Sequence, residues 1–304
     1  MKDYMIVGCG LYGATFARIA ADKGQKVLVI DKRNHIAGNC YTENRGGIDV
    51  HKYGPHIFHT NDDNIWNFVN RFSSFNSFVN RPLARVGNDM YDCRIYSLPI
   101  NLHTLSKVWN DVATPEEAKE KLEEVRIKID NPKNLEEWVL SQIGEELYKL
   151  FFYGYTKKQW GRDPKDLPAS IIKRLPIRLT YENNYYNAKY QGIPVNGYTH
   201  MVGNIIDHPN IEVKTGEIFD GSWEGIARKL IYTGSPDSLF NYEWGPLEYR
   251  SLRFHEEELD EEDFQGNAVV NYTHESVKFT RIVEHKHFTS AKTNNTIITK
   301  EYPQ

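Results

Sequence analysis

Cysteine is scarce: the 304-residue chain has three, Cys9, Cys40 and Cys93, none in C-x-x-C spacing. That excludes a disulfide framework and the usual structural zinc arrangements, and it fits a reducing cytoplasm. Long apolar runs are missing too, and the N-terminus enters a strand-like segment within three residues instead of opening a signal peptide. A soluble chain without a membrane span is expected. One-sided charge is absent: 37 basic residues face 41 acidic ones, a formal net charge of −4. A nucleic-acid partner held on a broad basic face is therefore not expected, and any phosphate contact must be local. His56 and His59 stand as H-x-x-H with no third ligand at suitable spacing, so no metal is expected. There is no internal repeat and no low-complexity linker.

What is present starts at the N-terminus. The apolar run Tyr4 to Val7 leads into Gly8-Cys9-Gly10-Leu11-Tyr12-Gly13, then into residues 14–21 with helical spacing of apolar side chains. This is strand, glycine turn, helix. A second strand, Lys26 to Ile30, ends on Asp31, where a dinucleotide fold needs a carboxylate for the ribose hydroxyls. Gly8 serves the tight turn, Gly10 lets the backbone approach a pyrophosphate, and Gly13 packs helix on strand. The next segment carries Arg33, Gly38 and Thr42 and resembles the second phosphate-contacting element of FAD-binding Rossmann proteins, with Ala37 where a glycine is usual. FAD is favoured over NAD.

From about residue 102 the pattern is helical. Thr114-Pro115-Glu116-Glu117 reads as an N-cap, a proline at the first position and a capping glutamate, and Asn134 opens a helix with Leu135, Val139, Ile143, Leu147 and Phe151 at helical spacing. The stretch "YGYTKKQWGRDPKDLPASIIKRLPIR" at 153–178 reads as loop-like, and its rings and cations suit a planar base carrying phosphates. Segments near 79–99, 176–190 and 244–285 alternate Tyr, Phe, Val and Arg and suggest an antiparallel sheet, with the acidic run at 255–266 on a solvated edge. The fold class expected is α/β: a FAD-binding Rossmann-type domain (1–78 plus 191–240), an inserted helical lobe with a substrate lid (102–172), and an antiparallel β-sheet lobe (79–101, 173–190 and 241–304).

With that start, "YGPHIFHT" at 53–60, "YSLPINLHT" at 96–104, "GYTKKQWG" at 154–161, "LPASIIKRLPIR" at 167–178 and "FTRIVEHKHF" at 279–288, the sequence resembles the bacterial UDP-galactopyranose mutase family from end to end. The resemblance implies an isomerase interconverting UDP-galactopyranose and UDP-galactofuranose through a flavin N5–sugar adduct, with reduced FAD and no net redox. It implies substrate contacts from Asn80, Phe151, Phe152, Tyr155, Trp160, Tyr185 and Asn271. Arg174, on a mobile lid, and Arg281 would clamp the diphosphate. FAD would be held by Gly8, Gly10, Leu11, Tyr12, Gly13, Asp31, Lys32, Gly38 and Asn39, with His56 against the flavin. The family also implies a homodimer.

Two other readings stay open: an amine-oxidase-like flavoenzyme with net redox, and a non-catalytic UDP-sugar-binding remnant. The second arises because family members continue for several tens of residues beyond "NTIITKEYPQ", through a segment that caps the flavin. A truncated chain of weak FAD binding and little activity is the expectation.

Overall fold

The computed structural model describes residues 1–87, 93–171 and 177–304. Its chain forms two units, the first built from Met1–Phe78, Ala188–Tyr249 and Phe288–Lys292. Here Lys2–Val7 and Val27–Asp31 pair in parallel, and Ala227–Tyr232 and Ile211–Thr215 extend the sheet on either side, giving the order Ala227–Tyr232, Lys2–Val7, Val27–Asp31, Ile211–Thr215. Every residue of Val27–Asp31 is buried, as an inner strand of a parallel sheet requires.

The helix Leu11–Asp22 returns from the first strand to the second and buries Ala14, Ala17, Ala20 and Ala21. Side chains this small let the helix lie close to the sheet, where Ala17 and Ala20 pack with Ile6, Val27 and Val29. Ala14 instead joins Tyr198, Met201, Val202 and Ile205 of the helix Gly197–Ile206. A hairpin, Thr42–Arg45 with Ile48–His51, carries the chain to the histidine-rich segment, and Phe58–Thr60 pairs antiparallel with Tyr190–Gly192.

The second unit, Val79–Asn187 with Arg250–His287 and Thr293–Gln304, holds a six-stranded sheet and the helices. The strand order is Leu252–Leu259, Thr296–Pro303, Arg281–Glu284, Val269–Tyr272, Leu83–Val86, Arg94–Ser97. All neighbours are antiparallel except Val269–Tyr272 with Leu83–Val86. The acidic strand Leu252–Leu259 lies at an edge, where charge discourages further pairing.

The helical segments start where their caps stand. Thr114 and Glu117 form the reciprocal capping box ahead of Pro115–Val125, and Asn134 Oδ1 accepts from the Glu137 N–H at 2.9 Å. Leu135, Val139, Ile143 and Leu147 are buried together with Phe151, Tyr96 and Trp109. At roughly 1.5–3 kcal/mol per buried aliphatic side chain, the four from one helix stabilise the unit by about 6–12 kcal/mol before entropy is counted.

Two segments differ from the sequence reading. The loop-like stretch begins as structure: after Leu135–Leu147 the chain widens into a π-helical turn, Tyr148–Tyr153, then continues as the helix Gly154–Trp160, stopped by Gly161 at φ 63°. Its Tyr, Thr and Trp are poor helix formers, and tertiary packing overrides them. Residues 177–189 form no strand. Their backbone is gathered by Arg178, whose guanidinium donates to the Asn184 and Tyr185 carbonyls, and by the Tyr185 N–H, which donates to Asn80 O at 2.8 Å. No helix among the described residues is long and apolar enough to cross a membrane.

Candidate functional site

In the first unit the glycine motif makes a bare helix N-terminus. Gly8 has φ 106°, and a Cβ there would stand 2.0 Å from Thr233 Oγ1; one on Gly13 would stand 1.9 Å from the Gly8 carbonyl oxygen. Gly10 is the N-cap of Leu11–Asp22, with no side-chain cap and no acidic residue in the first turn. The free N–H groups and the helix dipole there suit an anion. Gly38 lies against Gly10, a Cβ on it coming 3.0 Å from Gly10 Cα.

Asp31 is 7% exposed and already busy. Its Oδ2 accepts from the Cys9 N–H at 2.8 Å and its Oδ1 from the Arg33 N–H at 2.9 Å. The carboxylate thus staples the glycine turn to the second strand. Lys32 and Asn39 are exposed nearby, and Arg33 stacks over Tyr53 while donating to Asn39 Oδ1 at 2.9 Å. Leu11 is half-buried, whereas Tyr12 is 69% exposed.

His56 is half-buried, its Nδ1 2.9 Å from the Gly54 carbonyl oxygen. Its backbone N–H donates to His51 Nδ1 at 3.3 Å, so His51 accepts through that nitrogen. Sequence reading passed over His51. It is fully buried against Phe288, and burial, then the field of His56, pushes its imidazole down to about 3. A neutral imidazole therefore braces the His56 backbone at any physiological pH.

The second unit encloses a cavity of about 430 Å³. Phe151, Phe152, Tyr155, Trp160, Tyr185, Asn271 and Arg281, all expected at the substrate, line it together. The π-helical turn supplies the two phenylalanines, and the helix after it supplies Tyr155 and Trp160. Asn271 and Arg281 are opposite one another on neighbouring strands. Asn80 is not among the lining residues; its carbonyl instead receives the Tyr185 N–H. Arg174 lies outside the described residues.

Sequence reading missed Thr156, Gln159, Thr273 and Glu301 in the same lining. Glu301 is the telling one. It is 1% exposed, sits opposite Arg281 in the strand register, and accepts from Arg281 Nε at 2.5 Å. Burial alone would lower the Arg281 pKa, but Glu301, Tyr155 and Tyr185 outweigh it and raise the value, so the guanidinium stays charged. Its two terminal nitrogens make no hydrogen bond among the described residues, leaving the fork for a ligand. Burial, partly offset by Arg281, raises the Tyr155 phenol pKa and keeps it a neutral donor.

A family model described as UDP-galactopyranose mutase matches residues 150–304, and one for an NAD(P)-binding Rossmann-like domain matches 6–72. The chain is 42% identical over 305 residues to a probable UDP-galactopyranose mutase of Klebsiella pneumoniae, covering 99% of this chain and 78% of that protein. The chain belongs to the UDP-galactopyranose mutase family. The chain is also similar to a dTDP-fucopyranose mutase of Escherichia coli, 43% identical over 298 residues, covering 95% of this chain and 78% of that one. A crystal structure of reduced UDP-galactopyranose mutase superposes with a TM-score of 0.74 at 14% identity, over 100% of this chain and 75% of the other, which is agreement in fold.

Proposed function

We propose that the chain is a flavin-dependent mutase interconverting the pyranose and furanose forms of galactose carried on UDP. The observation that carries the reading is the cavity of the second unit, lined by Tyr155 and Trp160 together with the unengaged fork of Arg281. Aromatic faces suit a uracil and a guanidinium suits a diphosphate. FAD is the cofactor proposed, and the first unit fits it: the uncapped N-terminus at Gly10 to Tyr12 and Gly13 would take the pyrophosphate, with Gly38 and Asn39 beside it, and Asp31 and Lys32 would take the adenosine end. Bound and reduced, the flavin would supply a nucleophile for the anomeric carbon and recover it unchanged at the end of the cycle.

The chain's own residues do the rest. When the sugar–phosphate bond breaks, negative charge grows on the departing diphosphate, and Arg281 stabilises it in a site where Phe151, Phe152 and Tyr155 exclude water. Glu301 holds the guanidinium plane by its Nε, so the terminal nitrogens meet the phosphate without first searching for an orientation. The same contacts retain UDP until the ring closes through the other hydroxyl. Arg174 is the proposed second arm of that clamp, and His56 the proposed contact to the flavin.

The near-equal identities to mutases named for UDP-galactopyranose and for dTDP-fucopyranose give one second reading, with the dTDP-linked sugar as substrate. The test is to purify the protein, record its flavin absorbance, reduce it and supply each nucleotide sugar in turn. Furanose product without stoichiometric use of reductant is expected, and the better kcat/KM names the substrate. Arg281→Ala should lower kcat/KM by about 10²-fold or more, as for loss of one donor to a developing oxyanion. A loss under about threefold would remove Arg281 from the role.

A further inference from the structure

Lys158 looks from sequence like one more cation in a basic run, but the structure spends it differently from its neighbour. Lys157 pairs with Glu275 at the surface, at 3.1 Å. Lys158 is half-buried and makes no ion pair among the described residues. Its Nζ donates to two backbone carbonyls, Tyr272 O at 2.7 Å and Phe279 O at 3.0 Å. Those carbonyls flank the turn joining the strands Val269–Tyr272 and Arg281–Glu284, next to Asn271 on one and two residues before Arg281 on the other. One turn earlier on the same helix face, Gly154 presses on this turn so closely that a Cβ would stand 2.5 Å from Thr273 O. Burial without a counter-charge pushes the Lys158 ammonium down to about 8, so the contact carries an electrostatic cost that a simple packing residue would avoid.

We propose that Lys158 is a positioning residue: it ties the helix bearing Tyr155 and Trp160 to the strands bearing Asn271 and Arg281, and so fixes the span between base pocket and diphosphate clamp. This rests on the reading of the cavity as a nucleoside diphosphate site. A ligand that engages both the helix and the strands gains from their fixed separation, because the second contact is then intramolecular. A ligand that engages only one of them gains nothing from it.

The experiment is calorimetric titration of the parent, Lys158→Met and Lys158→Arg with UDP, with uridine and with inorganic pyrophosphate. Lys158→Met should weaken UDP about 10-fold or more and leave uridine and pyrophosphate within about twofold. Lys158→Arg, which keeps two donors and the charge, should recover most of the UDP affinity. Equal UDP affinity in parent and Lys158→Met overturns the proposal, as does a parallel loss for all three ligands, which marks a role in folding alone. If Lys158→Met does not fold, Lys158→Gln is titrated in its place with the same expectations. A parent that binds no UDP overturns the nucleoside diphosphate reading, and this inference with it.

Discussion

Replacing Asp31 by alanine tests whether this carboxylate is more than a cofactor contact. Its two acceptor bonds reach the amides of Cys9 and Arg33. Cys9 is 0% exposed, so its amide loses its partner when Oδ2 is removed, and an unsatisfied buried N–H costs about 1–3 kcal/mol. The Arg33 amide is only part-buried, and water can replace most of its bond, adding about 1 kcal/mol. The sum is a loss of about 2–4 kcal/mol from the first unit, large against a typical stability of about 5–15 kcal/mol. Asp31→Asn keeps one acceptor oxygen and should lose about half as much. Urea unfolding followed by circular dichroism gives the energies, and hydrogen exchange at the Cys9 amide locates them, since that proton should exchange at a sharply higher rate in Asp31→Ala. FAD retention should fall in the same variant. If FAD retention falls while stability changes by under about 1 kcal/mol and the Cys9 amide stays protected, the carboxylate serves the ribose alone and the staple is wrong.

Ala37 stands at φ 72°, in the left-handed region that favours glycine. Relief of about 1–2 kcal/mol of strain in Ala37→Gly is offset by about 0.4–1 kcal/mol of unfolded-chain entropy and about 0.8 kcal/mol for the lost buried methyl, so the exchange should be neutral within about 1 kcal/mol. Ala37→Val should cost more than about 3 kcal/mol in the same urea assay, and a tolerated valine would show that the backbone is free to relax. His287 lies 3.3 Å from Glu284 and 3.5 Å from Asp263, and the Glu284 contact, ahead of opposing burial, raises its pKa. Its stabilising contribution is therefore complete below the unfolded value of about 6.5 and is lost as pH rises through the higher folded value. Parent protein should lose on the order of 1 kcal/mol between pH 5.5 and 8.5 relative to His287→Asn, and equal pH slopes for the two would refute the ion pair.

What the sequence made legible was local. Strand, glycine turn, helix and terminal acid lie within residues 4–31, and each is dictated by neighbours a few positions away, so the start of the nucleotide unit follows from the sequence directly. The caps at Thr114 and Asn134 belong to the same class, because a cap needs only its own next three residues. The helix Gly154–Trp160 was not legible, because its composition favours strand or loop and only packing of Gly154 and Lys158 against the 272–279 turn makes it helical.

The features that turn lining residues into a site were also hidden, for a common reason. Glu301 faces Arg281 only because two strands twenty residues apart align in that register, and a shift of one residue would send the carboxylate to the other face. Lys158 differs from Lys157 by nothing in the chemistry of its side chain, yet one meets a carboxylate in solvent and the other two carbonyls under cover. Residue type announces which ligand a cavity can take; register and burial decide which of several equivalent side chains will meet it. Mutations at Lys158 or His51, which leave every residue of the cavity lining intact, are therefore where the proposed chemistry is most exposed to test, because they alter the placement of Arg281, Trp160 and His56 without removing any of them.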